Sequence, residues 1–417
     1  MRRILIGLGV FYLCAGALAA QDTAELVARM KAMEERIQAL EAEVKALKSK
    51  PEAITASTAP QEKSAEPPPQ ATSPAPVVGQ LPVYGGAQMG TKIFNPDIGI
   101  IGNLVGATGR NQINPYPSLS LQESEVSLQA IVDPYARADF FLAIGEEGIE
   151  VEEGYVTFPT VKGGFLVKAG KMRATFGRVN TFHNHTLPWI DRPLAAFNLL
   201  GGSLEEADVG IKEVGLSVSR ILPAPRGVFL EAAGEVFRGD SGSLFKSSRR
   251  SDVSSVGHLK GYKDLTESAS LELGGSVARG HNDLGSRFIT QLYGFDATLR
   301  WRPARRAIYR SFAARTELFW SRRDEVANTQ RAFGFFASTE YQLRRRWFAG
   351  GRYDWSERAR NAALHDSSGS LVLTFWPSEF NQIRAQFRRT RYAEGQTANE
   401  MLFQFLFTIG AHGAHPF

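Results

Sequence analysis

Polar and apolar residues alternate along most of the chain, from about residue 92 onward. In 331–344, 346–356, 379–391 and 401–409, one side of the run is apolar and the other is largely polar. This pattern predicts strands with one face in an apolar medium and the other facing water. About fifteen such segments occur, and a closed bacterial barrel has an even strand number, so we expect about 16, within about 14–18. The expected fold class is all-β: a closed antiparallel transmembrane β-barrel over 92–417, wide enough for an aqueous lumen.

A different period governs residues 20–50, where apolar residues recur at alternating steps of four and three. The seam consists of Leu26, Met30, Met33, Ile37, Leu40, Val44 and Leu47. A heptad stripe of this width predicts a coiled-coil helix, and hence a homo-oligomer that is a dimer or a trimer. The alternative is a single amphipathic helix lying on a surface.

Residues 51–91 contain eight prolines among Ala, Ser, Thr, Glu and Gln. This composition cannot bury a core and predicts an extended, semi-rigid linker. The linker would hold the coiled coil away from the membrane, where peptidoglycan is a further candidate partner.

Residues 1–19 have the three regions of a secretory signal peptide. Arg2 and Arg3 precede an apolar stretch, and small residues then lead to a cleavage site after Ala19. The single cysteine, Cys14, lies inside this segment, so the mature chain would have no thiol for a disulfide or a thiolate metal site. No later run is long and apolar enough for a spanning helix, which needs about 18 residues.

The aromatic strand 401–409 and the terminal Phe417 are typical of outer-membrane barrels. We therefore expect the bacterial outer membrane as the location, its lipid as a partner, and the barrel assembly machinery to recognise Phe417. The formal net charge of +5 is too weak to indicate nucleic acid. No nucleophile elbow, phosphate loop or paired-cysteine motif occurs, so neither an enzyme nor a cofactor is expected.

An irregular, rather apolar segment interrupts the strands at 175–193. It is too irregular to face lipid, because its backbone groups need partners there. We expect it to fold into the lumen, so that the loop 173–204 narrows the pore. The expected constriction residues are Arg178, His183, His185, Asp191 and Arg192. The alternative is an external loop packed on neighbours in an oligomer.

The polar faces of the predicted strands would line the lumen. The charged lumen residues expected are Arg137, Asp139, Asp296, Arg300, Arg315, Glu317, Glu340, Arg352, Asp354, Arg384 and Arg388. The two signs are mixed, which favours a field across the pore over a ring selective for one ion.

Two pairs of histidines offer ligands for Zn²⁺. His183 and His185 are two residues apart with Asp191 nearby, and His412 and His415 lie in the tail. Two imidazoles and a carboxylate are a legitimate zinc ligand set. The alternative is that these histidines are ordinary hydrogen-bonding loop residues.

The layout of signal, coiled coil, linker and barrel, with Phe-Leu-Val-Lys-Ala-Gly-Lys-Met-Arg-Ala-Thr-Phe-Gly at 165–177, resembles the phosphate-selective porin O and P superfamily. The resemblance implies a sixteen-stranded, trimeric diffusion channel. The sequence departs from the phosphate-selective members in one respect, because no lysine ladder lies on the expected lumen faces, and the resemblance therefore does not by itself imply phosphate selectivity. The segments 94–98, 179–185 and 191–193 and the tail are also similar to an uncharacterised group labelled zinc-regulated TonB-dependent outer membrane receptor.

These features together predict an outer-membrane porin for passive diffusion of small hydrophilic solutes or ions. Two alternatives remain open at this point. One is a structural envelope tether that acts through the coiled coil, and the other is a zinc uptake channel or receptor.

Overall fold

The computed structural model describes residues 96–145, 148–202 and 209–410. The predicted signal peptide, coiled coil and linker lie outside the described residues, as does the tail from residue 411 with its two histidines and terminal phenylalanine. Those predictions therefore stay predictions. In the described ranges, no helix is long and apolar enough to cross a membrane.

Eighteen strands occur in the described residues. In chain order they are β1 (Asp97–Arg110), β2 (Ser120–Asp133), β3 (Ala136–Gly145), β4 (Gly148–Val161), β5 (Phe165–Arg173), β6 (Lys212–Ile221), β7 (Val228–Phe237), β8 (Asp240–Ser241), β9 (Phe245–Lys246), β10 (Ser254–Thr266), β11 (Ala269–Asn282), β12 (Gly285–Trp301), β13 (Phe312–Asp324), β14 (Thr329–Arg344), β15 (Trp347–Arg358), β16 (Asn361–Phe375), β17 (Asn381–Arg391) and β18 (Thr397–Gly410). The short β8 and β9 pair only with each other, and the other sixteen form one closed antiparallel barrel. The expected strand number of about 16 is confirmed.

The barrel closes where the first strand pairs with the last. Leu104 of β1 lies opposite Phe405 of β18, and the antiparallel pairing runs along twelve residues of each strand, from Gly99 to Arg110 in β1. Closure leaves no row of unpaired backbone groups, which hydrocarbon would not tolerate.

Alternation along each strand separates a lipid face from a lumen face. In β17, Ile383 and Phe387 are exposed, whereas Arg384 and Arg388 are buried inside the barrel. In β18, Phe403 is exposed on the outer face. Apolar residues are exposed and charged residues buried because the outer face meets hydrocarbon and the inner face meets polar partners.

The two ends of the barrel differ in their connections. The first residue of β1 and the last residue of β18 lie at one end, and the two longest connections, 174–211 and 238–253, lie at the other. Outer-membrane barrels have short periplasmic turns and longer extracellular loops. The end at which β1 begins and β18 ends is therefore the periplasmic end.

We name residues 174–202, between β5 and β6, the lumenal loop. It contains two 3₁₀ turns, Val179–Thr181 and Asn184–Thr186, and one short helix, α1 (Leu194–Leu199). A third 3₁₀ turn, Ala304–Arg306, lies in the periplasmic connection between β12 and β13.

Candidate functional site in the barrel lumen

The side chain of Asn180 closes the base of the lumenal loop. Its amide nitrogen donates to the carbonyl oxygens of Ala174 and Ile211 at 2.8 and 3.1 Å, and its oxygen accepts the Ile211 N–H at 2.8 Å. A Cβ at Gly210, where φ is +131°, would overlap the Asn180 oxygen, so this position requires glycine. These hydrogen bonds hold the end of β5 and the start of β6 together at the base of the loop.

An apolar core occupies part of the lumen, which the alternation of the strands does not predict. The loop contributes Phe176, Leu187, Trp189 and Leu199, and the wall contributes Leu292, Phe319 and Phe336. The Trp189 ring meets Phe336 edge-on at 5.3 Å, and Phe176 stacks on Phe319 at 6.1 Å. Burying each such side chain contributes about 1.5–3 kcal/mol. The loop is thus packed on the wall rather than suspended in water.

Asp191 forms a buried polar contact between the loop and the wall. One guanidinium nitrogen of Arg352 lies 3.0 Å from each of its carboxylate oxygens. Arg388 donates to it at 2.8 Å and Gln386 at 2.6 Å. We name these four residues the Asp191 hub. Burial alone would raise the pKa of Asp191, but Arg352, Arg388 and Gln386 outweigh it and lower the pKa to about 2.

Inward-facing side chains also satisfy backbone groups of the lumenal loop. Arg384 donates to the carbonyl oxygens of Leu187 and Trp189 at 2.8 and 3.2 Å. Backbone N–H groups of the loop donate to wall oxygens: Gly177 to Ser276, Val179 to Glu317, Ile190 to Gln386 and Leu194 to Asp354, at 2.7–3.2 Å. These four bonds attach the loop to strands β11, β13, β17 and β15, and the Thr175 N–H donates to Glu235 of β7 at 2.9 Å.

Arg178 and Arg192, both expected at the constriction, have different partners. Arg178 forms an ion pair with Glu272 of β11, and its guanidinium lies 5.4 Å from the ring centre of Phe182. Arg192 is buried and donates to the carbonyl oxygens of Val179 and Phe182 at 3.0 and 2.6 Å. Arg178 thus joins the loop to the wall, whereas these bonds of Arg192 hold the shape of the loop itself.

The loop histidines contact carboxylates of β2 and β4, whereas Asp191 contacts arginines. Nδ1 of His183 lies 2.7 Å from Glu125 and 3.1 Å from Glu152, and Nε2 lies 2.9 Å from Glu153. Burial alone would lower the pKa of His183, but these three carboxylates raise it well above its usual range. Nδ1 of the neighbouring His185 lies 3.7 Å from Glu125.

Most of the charged residues expected in the lumen form local ion pairs along the inner wall. The pairs are Arg137 with Asp139 at 2.8 Å, Arg300 with Glu272 at 3.4 Å, Arg315 with Glu340 at 3.6 Å, Arg352 with Asp354 at 2.8 Å and Arg388 with Glu400 at 2.6 Å. Asp296 and Glu317 are buried and lie opposite each other on β12 and β13. Sequence reasoning placed charges on the inner face but did not identify these partners.

Two cavities lie on opposite sides of the lumenal loop, one toward each end of the barrel. The periplasmic cavity, of about 760 Å³, is strongly basic. Its charged lining residues are Arg178, Arg300, Arg302, Arg315, Arg345, Arg346, Arg384, Glu340 and Glu379. The extracellular cavity, of about 950 Å³, mixes five basic residues with six acidic ones. Loop residues line both cavities: His185 and Leu187 face the periplasmic cavity, and Asp191 and Arg192 face the extracellular one.

The closed sixteen-stranded barrel with an apolar outer face defines an outer-membrane protein of porin-like fold. Among solved structures, it is similar to the anion-selective porin from Comamonas acidovorans, with a TM-score of 0.52 and 11% identity over 75% of this chain and 98% of that chain. It is also similar to the outer membrane channel DcaP of Acinetobacter baumannii, with a TM-score of 0.50 and 10% identity over 76% of this chain and 96% of that chain. The protein is located in the bacterial outer membrane.

A sequence relative extends the comparison without adding a function. An uncharacterized protein of Aquifex aeolicus (strain VF5) is 28% identical over 356 residues, covering 75% of this chain and 73% of that protein. No family model matches the chain. The particular likeness to the phosphate-selective porin superfamily therefore stays a prediction.

Proposed function

We propose that this protein is a passive outer-membrane channel for small hydrophilic solutes or ions, and that the lumenal loop sets the width of its pore. The observation that carries the proposal is the pair of cavities, one at each end of the barrel, with the loop between them. A solute crossing the lumen would have to pass this loop. The loop is held by hydrogen bonds, ion pairs and packing, contacts that thermal motion breaks and reforms.

The charge of the periplasmic cavity favours small anions as permeating solutes. Seven arginines and two glutamates line it. A cavity with one excess sign of charge and low-dielectric walls raises the local concentration of the opposite ion. The extracellular cavity has nearly balanced charge and gives no such preference.

Two measurements on protein refolded into bilayers test the proposal. Liposomes should swell in small sugars or amino acids and exclude larger oligosaccharides, because a loop that sets the width of the pore would stop large solutes. In asymmetric KCl, the reversal potential should have the sign of chloride preference. Liposomes that stay sealed to all solutes, with protein shown to be folded, would exclude a passive channel.

We further propose that the assembly is a homo-oligomer held by the coiled coil predicted for residues 20–50. Removing 20–91 from the mature chain should lower the oligomeric state in detergent while the barrel still conducts. An envelope tether would behave differently, because the truncated protein would lose its cellular phenotype with its conductance intact.

A further inference from the structure

Two glutamates of β2 and two histidines of the lumenal loop form a compact group. Glu123, Glu125, His183 and His185 each offer one nitrogen or oxygen atom, and these four atoms all lie within 4.8 Å of one another. Glu123, Glu125 and His185 are buried. The group joins a wall strand to the loop in the interior of the barrel.

Local backbone geometry brings the four side chains together. Glu123 and Glu125 are two apart on a strand, so they share the inward face of β2. His183 is extended, with φ −68° and ψ 155°, and the 3₁₀ turn Asn184–Thr186 begins directly after it. The two imidazole rings consequently lie on one side of the loop, with their centres 5.6 Å apart.

More acidic than basic side chains lie in and around this group. Besides Glu123 and Glu125, the carboxylates of Glu152 and Glu153 reach His183, and Glu152 pairs with Arg173. Buried carboxylates that lie this close together repel one another strongly. A bound cation would balance this excess.

We propose that Glu123, Glu125, His183 and His185 bind a divalent transition metal ion, with Zn²⁺ the ion that fits the donors best. Two imidazole nitrogens and two carboxylate oxygens are a ligand set that Zn²⁺ accepts, at about 2.0–2.2 Å in tetrahedral geometry. Imidazole donors disfavour Ca²⁺ and Mg²⁺, which take oxygen ligands. Tetrahedral ligands would lie roughly 3.4 Å apart, so side-chain rotations that draw the four atoms together would complete the site.

The surroundings of His183 support this assignment. Its Nδ1 faces Glu125, and its Nε2 lies 2.9 Å from Glu153. A metal-binding histidine commonly donates its second ring N–H to a carboxylate, which fixes the tautomer and the orientation of the ring. Glu153 has the position for that role, with Nδ1 left for the metal.

The metal site would lie between the two cavities. Glu123 and Glu152 line the extracellular cavity, and His185 lines the periplasmic one. A bound ion would therefore tether the lumenal loop to β2 at a place separate from the Asp191 hub. It would also be reachable by ions that enter from the extracellular side.

Zinc titration of the folded, full mature chain in detergent micelles tests the proposal. The tail histidines are replaced first, His412→Ala with His415→Ala, so that binding there does not contribute. This background should bind one Zn²⁺ per chain, by calorimetry and by metal analysis after dialysis. Glu125→Gln or His185→Gln should weaken binding by about 100-fold or more, since loss of even a supporting residue costs about 10- to 100-fold.

His258→Gln is the matched control, because this lumen histidine is hydrogen-bonded to Ser276 of β11 and lies outside the group. It should leave the zinc affinity unchanged. The resistance of the folded barrel to unfolding in SDS before heating verifies that each variant has folded. Zinc binding that survives unchanged in folded Glu125→Gln and His185→Gln would overturn the proposal, as would the absence of stoichiometric binding to the background protein.

Cobalt provides a second measurement that needs no variant within the group. Co²⁺ added to the background protein should give the visible absorption of a tetrahedral site with nitrogen and oxygen ligands, and Zn²⁺ should abolish it. Folded protein without this absorption would contradict the tetrahedral site. Channel conductance plays no part in either measurement, so failure here would leave the proposed channel function standing.

Discussion

Replacing Asp191 by asparagine removes the negative charge at the centre of the Asp191 hub while nearly preserving the shape of the side chain. The carboxylate accepts hydrogen bonds from Arg352, Arg388 and Gln386, all of which are buried. An asparagine keeps one acceptor oxygen and adds donors that face guanidinium groups. The loop should therefore lose its charged attachment to β15 and β17, whereas the hydrogen bonds between its backbone and Arg384, Gln386 and Asp354 remain.

The free-energy cost of this substitution depends on the partners that Arg352 and Arg388 keep. Breaking a buried ion pair costs about 3–5 kcal/mol, mostly because a charge is left uncompensated. Here Arg352 still has Asp354 at 2.8 Å and Arg388 still has Glu400 at 2.6 Å, so we take the lower value, about 3 kcal/mol. Since 1.4 kcal/mol is a factor of ten, the undocked population of the loop should rise about 100-fold.

Single-channel recording in planar bilayers measures this population. Undocking of the loop should appear as brief openings to a larger conductance, and Asp191→Asn should make them about 100-fold more frequent. Asp139→Asn is the matched control, because Asp139 is a buried lumen carboxylate bonded to Arg137 of its own strand. Openings of equal frequency in Asp191→Asn and in wild type would refute the account of the hub.

Three further predictions concern pH, packing and selectivity. The pKa of Asp191 is lowered from 3.8 to about 2. The contribution of its carboxylate to loop docking is therefore complete above pH 3.8 and is lost as the pH falls toward 2. The difference in opening frequency between wild type and Asp191→Asn should stay constant from pH 8 to pH 4 and vanish toward pH 2. Gly177 has φ +61°, and a Cβ added there would lie 2.5 Å from a carboxylate oxygen of the wall. Gly164 has φ +75°, and a Cβ added there would have no atom within 4 Å. Gly177→Ala should therefore increase openings in the same recordings, and Gly164→Ala should not. Arg345→Gln with Arg346→Gln removes two charges from the periplasmic cavity, so the reversal potential in asymmetric KCl should move toward cation preference, and an unchanged potential would exclude the cavity as its source.

The barrel could be predicted from the sequence because the alternation that specifies each strand is local along the chain. A strand between hydrocarbon and water must alternate, and β17 alternates without exception from Gln382 to Arg388. The even strand number then followed from closure. Neither step requires knowledge of which residues meet across the lumen.

The apolar core of the lumen was missed because it breaks that alternation. The adjacent aromatic pairs Phe319-Trp320 and Phe335-Phe336 place one ring on each face of a strand. One ring then faces lipid and the other packs against the lumenal loop. Two successive aromatic residues in an alternating strand were the signal available in the sequence.

The carboxylates around His183 were missed for a different reason. The pairing of β3 with β4 shifts register between Phe141 and Leu142, which leaves Glu152 as an extra residue in β4. A β-bulge lets consecutive residues depart from strict alternation, and both Glu152 and Glu153 are buried. Sequence alone placed His183 and His185 on a loop but gave no way to determine which strands that loop would reach. The long-range contact between Asp191 and Arg352 was hidden for the same reason.

The most direct test of the channel account is the single-channel conductance of wild type beside a variant in which residues 178–201 are replaced by a short Gly-Ser segment. If the lumenal loop sets the width of a passive pore, wild type should give small, discrete, ohmic steps and the shortened variant distinctly larger ones. Equal steps from the two proteins, or no steps from either when both are folded in the bilayer, would contradict it.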